Sequence, residues 1–554
     1  MGDVAKKSRS SAFRRYPALI LVGAAAALAI LLPSALTVPQ SGPSTLAEFA
    51  PVPGSGEGRS DVSEFGQGIS GGLGFGSGRG GAAAPPPEQM GAPKQGKATL
   101  KRCVGNPPRQ TEDPLSPPCV AFFEGDNGGA TGKGVTKDEV SVVGRFANLT
   151  TDSSTSPTVD CAEPMVSSDT LRDTYCKAYM RYFNERYQTY GRRVRLWSSH
   201  GGSEATLDQR FSPFAWVEAG ASTQAATRKS VSVGFLGRPR SSYQTYAPHL
   251  ISFRADLEDQ ARIGAAYICQ KLVGRKAQYS GTPTDRDRVR KFALWYQTDN
   301  AERDRLESAL KSHCDFKFDD YQSNAGNVNS GAHLASARFR DNNITSVVLL
   351  MESQAHVSVT TLAAQSGYFP EWVIPGMAAS NSYDTNSQGR LGNQAEWANA
   401  FGITFDYRRD AIKDQSWYRA YHEMCEECPD PNVSQGEASA IAFVYDSLTM
   451  LFYGIQAAGP RLTVENLDKG LHAIPQQGSP NPYKPAAYFS PGNYSFLKDA
   501  MMISWDPSGI PPGSSTAGCY RLPLDGQRFR GGDWTSGDDD VRRLGPCQGT
   551  VFGD

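Results

Sequence analysis

A Cys-x-x-Cys pair in the stretch HEMCEECPD is the most compact group of reactive side chains in the sequence. His422, Cys425 and Cys428 follow one another at three-residue spacing, and such a pair can bind zinc, exchange disulfides or form a structural disulfide. A thioredoxin-like role requires the pair between a strand and a helix, but here it follows the helical stretch SWYRAYHEM. The context therefore favours a structural disulfide at a helix end, with zinc binding and redox chemistry as the alternatives.

Other motifs with chemical meaning lack the context that they need. The seven histidines are scattered, and none lies in an HExxH motif or a recognised catalytic triad. The glycine-rich stretch 125–134 is not a phosphate-binding loop, because Asn127 stands where its first glycine belongs and Gly134 where a Ser or Thr belongs. We therefore expect no catalytic residue, no metal site and no cofactor.

The N-terminus predicts export from the cytoplasm. A basic cytoplasmic segment, 1–16, precedes the uncharged apolar run 17–36, whose length matches the ~20 residues of a membrane-spanning helix. A cleaved signal sequence is the alternative, but no clear cleavage site follows. We expect a single-pass anchor in a bacterial cell membrane, with the folded body outside the cytoplasm. The formal net charge of −1 indicates no nucleic-acid partner.

The even number of cysteines agrees with an oxidising compartment. There are ten cysteines, and pairing of sequence neighbours is the simplest arrangement, although sequence alone proves no connectivity. The predicted pairs are Cys103 with Cys119, Cys161 with Cys176, Cys269 with Cys314, Cys425 with Cys428, and Cys519 with Cys547. The last pair should fasten the polar C-terminal tail, 511–554.

Beyond the N-terminal run, the composition divides the chain into a linker and an α/β body. Segment 37–134 is rich in glycine and proline and is predicted to be a disordered linker. From about residue 137, strand patterns such as EVSVVGRF alternate with helical patterns such as LEDQARIGAAYICQKLVG. This alternation predicts parallel sheets in two Rossmann-like lobes.

The order of five segments resembles the type 1 periplasmic binding proteins, in particular their branched-chain amino-acid-binding branch. The segments are GVTKDEVSVVG, PFAWVEAGASTQAAT, RADLEDQARIGAAYICQKL, FALWYQTDNAERDRLESAL and LAAQSGYFPEWVIPG. The resemblance implies two α/β lobes, joined by three hinge strands, that close around a ligand. We expect the first lobe to comprise 135–256 and 378–480, and the second lobe to comprise 257–377 and 481–510.

Ligands of open parallel sheets bind beyond the carboxyl ends of the strands, and this rule together with the resemblance selects the candidate residues. They are Ser222, Thr223, Gly237, Arg238, Thr298, Asp299, Asn300, Glu352, Ser353, Gln354 and Met377. Amino-acid binders of the family hold the ammonium group of the ligand with an acidic residue soon after the second lobe's last strand. In this sequence the corresponding loop has no acidic residue before Asp384. Arg238, Tyr243 and Tyr246 favour an acidic or aromatic solute over an α-amino acid.

We therefore predict a non-enzymatic, membrane-tethered solute-binding protein that serves an ABC importer or a sensor. An exported enzyme that uses the Cys425/Cys428 pair is an alternative of a different class. A binding fold that has lost its ligand and acts as a protein-interaction module is another.

Overall fold

The computed structural model describes the following residues: 113, 115–120, 123–145, 158–199, 203–297, 300–324, 328–351, 355–377, 385–425, 435–475, 485–542 and 545–549. The predicted cytoplasmic segment 1–16, the apolar run 17–36 and most of the predicted linker lie outside these residues.

The first sheet is doubly wound and almost entirely parallel. Its strands are β1 (Glu139–Arg145), β2 (Val159–Asp160), β3 (Arg193–Ser199), β4 (Ala215–Gly220), β5 (Val231–Leu236) and β6 (Leu250–Ser252). They lie in the order β2-β3-β1-β4-β5-β6, and β2 alone of these strands runs antiparallel to its neighbour. Buried β-branched residues such as Val142 and Val233 explain why these segments prefer the two-sided interior of a parallel sheet.

The second sheet repeats this winding order and adds antiparallel strands at one edge. Its strands are β7 (Phe292–Gln297), β8 (Asp320–Asn324), β9 (Ser346–Leu350), β10 (Glu371–Ile374), β11 (Ala400–Thr404), β12 (Asp499–Asp506), β13 (Cys519–Arg521) and β14 (Arg528–Arg530). The order is β13-β12-β11-β10-β9-β7-β8, and β14 also pairs with β12.

Helices cover the sheets on both sides. In chain order they are α1 (Leu171–Arg186), α2 (Glu204–Phe211), α3 (Thr223–Thr227), α4 (Arg240–Tyr246), α5 (Leu257–Tyr267), α6 (Asn300–Cys314), α7 (Val328–Asp341), α8 (Ala355–Gln365), α9 (Asn386–Leu391), α10 (Gln394–Trp397), α11 (Ser416–Met424), α12 (Gln435–Ala458) and α13 (Val464–His472). Side-chain caps define several starts: Thr170 and Asp173 form a capping box at α1, and Asp256 caps α5.

The most apolar helix of the described body belongs to its core. Within the described residues, Ile441–Ala458 is the stretch long and apolar enough to cross a membrane, and 83% of it is buried inside the body. Leu448, Leu451 and Phe452 pack in the first lobe's core together with residues of β4 and β5. The apolar composition of this helix is therefore explained by core packing.

The chain crosses three times between the sheets. The crossings follow β6, follow β11 and precede β12. The third crossing is paired with the first, because the backbone N–H of Phe496 donates to the carbonyl of Ser252 at 2.9 Å. Since the crossings start where β6 and β11 end, the carboxyl edges of both sheets lie on the hinge side. This is the two-lobed α/β architecture that the resemblance implied.

Three predicted boundaries need correction. The boundary at 378 assigned β11 to the first lobe, but β11 pairs with β10 in the second sheet. The predicted tail 511–554 contributes β13 and β14 to the same sheet. The C-terminal end of the predicted linker is packed on the first lobe rather than disordered: Leu115 is buried in its core, and the Gln456 amide donates to the Pro118 carbonyl at 3.2 Å.

Three of the predicted disulfides are present in the structure. They are Cys161–Cys176, Cys269–Cys314 and Cys519–Cys547. Cys119 and Cys425 are also disulfide-bonded, while Cys103 and Cys428 lie outside the described residues. There are no free thiols among the described cysteines.

A buried ion pair also binds the C-terminal segment to the second lobe. Arg290 and Glu371 are completely buried, and their side chains form two hydrogen bonds of 2.7 and 3.0 Å. Arg290 also donates to Asp538 at 2.6 Å, while Ser346 donates to Glu371 at 2.6 Å. The C-terminal tail, β9 and β10 are thus joined by this one group of buried polar side chains.

Arg290→Met should strongly destabilise the protein, because it leaves the Glu371 carboxylate buried without its cation. Loss of one partner of such a pair costs about 3–5 kcal/mol, to be measured as the change in the free energy of unfolding in urea. The matched control is Arg338→Met, whose half-exposed pair with Asp320 should contribute less than about 1 kcal/mol. Equal losses in both variants would contradict a structural role for the buried pair.

Candidate functional site

The strand order identifies where a ligand would bind on the first sheet. The winding direction reverses between β1 and β4, and ligands of open α/β sheets bind in the crevice outside the carboxyl ends at such a point. Arg145, the last residue of β1, is the register partner of Glu218 near the end of β4. These two side chains therefore mark the crevice.

A cluster of charged side chains, which we call the switch-point cluster, occupies this crevice. Its members are Arg145, Glu204, Glu218, Arg228 and Arg238. The Arg145 guanidinium lies 2.8 Å from Glu204 and 3.5 Å from Glu218, and Arg228 lies 3.3 Å from Glu204. With both acids ionised, three cations and two anions leave an excess of one positive charge.

Glu218 is the most unusual member of the cluster. Its side chain is 7% exposed, yet its Oε2 atom has no hydrogen-bond partner. Burial and the nearby Glu204 carboxylate raise the pKa of Glu218 to about 7, against the opposing effect of Arg145 and Arg238. A buried acceptor of this kind costs free energy unless something binds to it.

Arg238 supplies the complementary donor. It follows β5, and its Nε atom is buried without a hydrogen-bond partner. Its backbone N–H donates to the Tyr243 hydroxyl at 2.9 Å, and Tyr243 in turn donates to Ser252 at 2.6 Å. This chain fixes the position of Arg238 relative to β6. Next to it, Leu236 ends β5 with a side chain that is 43% exposed.

Ser222 is placed at the crevice but its hydroxyl is already engaged. It donates to both oxygens of Glu204 at 2.9 and 3.0 Å, and it accepts from the backbone of Gln224 at the start of α3. Ser222 therefore holds Glu204 and caps a short helix in this structure, and ligand binding by its hydroxyl stays a prediction. Thr223 is half-buried beside it.

Two other candidates have packing roles. A side chain at Gly237 would collide with the carbonyl of Ala255 in the first crossing, so glycine is required there for close approach to the hinge. Met377 is completely buried among the apolar residues of the second lobe. A role of either residue in ligand binding therefore stays a prediction.

The second lobe's candidates fall at the carboxyl ends of β7 and β9, where its own winding direction reverses. Thr298, Asp299, Glu352, Ser353 and Gln354 lie outside the described residues. Asn300 begins α6, and its side chain is not among those described. They remain predictions for the side of the cleft opposite the switch-point cluster.

Zinc binding was one of the alternatives for the Cys425/Cys428 pair. Among the described residues, no group of three or more His, Cys, Asp or Glu side chains could hold a metal ion. Cys425, the first cysteine of the pair that could have bound zinc, is disulfide-bonded, which leaves it no thiolate for a metal.

Sequence reasoning missed Arg145, Glu204 and Glu218. One signal was present: Glu218 interrupts the apolar strand FAWVEAG, and an acid inside a buried strand needs a partner or a function. Glu204 had no comparable signal, because it comes close to Ser222 only through folding.

Solved structures of substrate-binding proteins are similar to this chain at low identity. An ABC transporter substrate-binding protein from Desulfitobacterium hafniense in complex with Leu is 13% identical, with 69% of this chain and 99% of that chain covered and a TM-score of 0.44. A fatty acid ABC transporter substrate-binding protein from Thermomonospora curvata is 11% identical, with coverages of 74% and 98% and a TM-score of 0.46.

A leucine-, isoleucine-, valine-, threonine- and alanine-binding protein from Brucella ovis, in a closed conformation, is 9% identical, with coverages of 73% and 98% and a TM-score of 0.47. Scans against protein-family models and curated proteins give no match. The description of the fold therefore rests on the strand order and the three crossings.

The raised pKa of Glu218 predicts a pH-dependent stability. Because its folded pKa of about 7 exceeds the ordinary value of 4.5, its contribution is most favourable below pH 4.5 and is lost as pH rises through 7. Wild type should lose on the order of 3 kcal/mol relative to Glu218→Gln between pH 4.5 and 8. Urea unfolding of both proteins across this range measures the difference; parallel profiles would contradict the assignment.

Proposed function

We propose that the protein is an extracytoplasmic solute-binding protein that holds a small molecule between its two lobes. The observation that carries the proposal is the pair of unsatisfied buried atoms at the first sheet's switch point, Oε2 of Glu218 and Nε of Arg238. A ligand that donates to one and accepts from the other would satisfy both. The three crossings supply a hinge on which the second lobe can close over it.

The chemistry of the cluster favours a small acid with a hydrogen-bond donor. The excess positive charge of the switch-point cluster suits a carboxylate, which Arg238 can bind through a charge-assisted hydrogen bond. Glu218 accepts from a neighbouring ammonium or hydroxyl group, and the exposed Leu236 side chain offers apolar contact. An amino acid or hydroxy acid with an apolar side chain combines these features. This proposal departs from the acidic or aromatic solute expected from the sequence, because Glu218 offers an acceptor for an ammonium group.

The proposed delivery of the solute to a membrane partner is based on the predicted membrane anchor and linker. Residues 17–36 would anchor the protein in the membrane, and the linker would allow the body to reach an ABC permease or a sensor. The anchored form predicts a mature protein that begins before residue 17 and stays in the membrane fraction. N-terminal sequencing checks this, and a mature start near residue 38 would contradict the anchor.

Binding should depend on the two unsatisfied side chains. A thermal-shift screen of small carboxylic acids, amino acids and aromatic acids selects the solute, and calorimetric titration then compares variants. Arg238→Met should weaken binding tenfold or more, because a charge-assisted hydrogen bond contributes about 1.5–3 kcal/mol. Glu218→Gln should weaken binding of a solute with an ammonium group more than binding of one with a hydroxyl group.

Arg210→Met is the matched control, because Arg210 is an exposed residue of α2 whose guanidinium covers the ring of Phe211. It should bind the solute like wild type. Scattering should also show compaction of the wild-type protein on solute addition. If Arg238→Met binds like the control and no compaction occurs, the cleft assignment is wrong.

A further inference from the structure

A cavity of about 630 Å³ lies on the flank of the hinge, and we call it the hinge cavity. Its lining includes Arg240, Asp259, Arg262, Asn493, Lys498 and Arg530. None of them belongs to the switch-point cluster. The volume is within the range of about 300–1,000 Å³ typical of small-molecule sites.

The walls of the hinge cavity come from both lobes. Arg240 lies on α4 of the first lobe, Arg262 on α5 of the second lobe, and Arg530 at the end of β14 in the second sheet. Asn493 and Lys498 lie on the third crossing between them. A molecule in this cavity would therefore touch both lobes and a segment that joins them.

Positive charge dominates the lining. Four cations (Arg240, Arg262, Lys498 and Arg530) face two acids (Asp259 and Asp533), which leaves an excess of two positive charges. Asp259 is shared, because it lies 3.1 Å from Arg240 and 3.0 Å from Arg262. Arg240 is also paired with Asp256 at 3.0 Å. These acids hold the arginines in place, and once Asp256 is counted an excess of one positive charge remains.

Lys498 is a buried cation at this site. Its side chain is 8% exposed, and its ammonium group donates to Asn493 at 2.8 Å and to the Ser495 carbonyl at 2.5 Å. It also lies 5.8 Å from the centre of the Tyr488 ring. Burial lowers the pKa of Lys498 to about 8, while Asp259 and Asp256 oppose this shift, so the ammonium remains charged at neutral pH.

We propose that the hinge cavity is a second binding site, for a small molecule with two or more negative charges such as a polycarboxylate or a tetrahedral oxyanion. The anion would bridge Arg240 of one lobe to Arg262 and Arg530 of the other. By binding one arrangement of the lobes better than another, it would change the affinity of the solute cleft. Linkage makes the effect reciprocal: the solute changes anion affinity by the same factor.

Calorimetric titration with sulfate and with citrate, at constant ionic strength and pH 7, tests the site. Sulfate represents tetrahedral oxyanions and citrate represents polycarboxylates. At least one of the two anions should bind the wild-type protein. Arg530→Gln and Arg262→Gln should each weaken the affinity for that anion tenfold or more. Arg338→Gln is the matched control, because Arg338 is a half-exposed arginine on α7, and it should bind like wild type.

The variants separate a binding site from a purely structural ion-pair cluster. Arg262 also pairs with Asp259, so Arg262→Gln removes a structural contact together with the proposed anion contact. Arg530 is exposed, and Arg530→Gln is the second variant that tests the site. Binding of neither anion, or equal binding by all variants, would overturn the proposal. If an anion binds but leaves the affinity of the solute found for the cleft unchanged, the site stands and its regulatory role is wrong.

Discussion

The buried carboxylate of Asp406 is the contact on which the arrangement of the two lobes depends. It lies in the second crossing and forms ion pairs with Arg254 of the first crossing and with Arg409. Burial would raise its pKa, but Arg254 and Arg409 hold that pKa below the ordinary value. Arg528 of β14 donates to the Asp406 carbonyl at 2.5 Å. One acidic residue thereby fastens two crossings to the second sheet.

This fastening explains why the candidate site has its present position. With β6 and β11 both ending at the crossings, the strand order β4-β5-β6 places Glu218 two strands from the hinge. The hydrogen bonds from Ser252 through Tyr243 to Arg238 fix the position of Arg238 relative to β6, which is the strand at the hinge. A charged cluster can be held open in a crevice because rigid neighbours maintain it, and its unsatisfied atoms are then available for a ligand.

Sequence periodicity was sufficient for the strands and helices that are long and regular. It failed between 378 and 404, because α9 and α10 have six and four residues and show no helical repeat. It also failed in the tail, where β13 and β14 have three residues each and depend on pairing with β12. Cysteine pairing predicted the attachment of the tail better than periodicity did. The Cys519–Cys547 disulfide was expected from the pairing of sequence neighbours, which does not depend on a repeat.

The site was harder to predict than the fold, and Ser222 shows why. Its position after β4 was predicted, because it follows from local sequence, and the structure shows that it caps the short helix there. That its hydroxyl is occupied depends on Glu204, which is 18 residues away in sequence and comes from another helix. Sequence spacing indicates which polar groups reach a strand's carboxyl end, but packing decides which of them stay unsatisfied.

The segment from Arg238 to Arg240 gives the two proposed sites a physical connection. Arg238 lies in the switch-point cluster, and its carbonyl accepts from Leu257 in the first turn of α5 at 3.1 Å. Two residues later, the backbone N–H of Arg240 donates to Glu258 of α5 at 2.6 Å, while its side chain lines the hinge cavity. Motion of α5 relative to the first lobe must therefore shift the positions of both arginines, because they are only two residues apart and the backbone of each is hydrogen-bonded to α5.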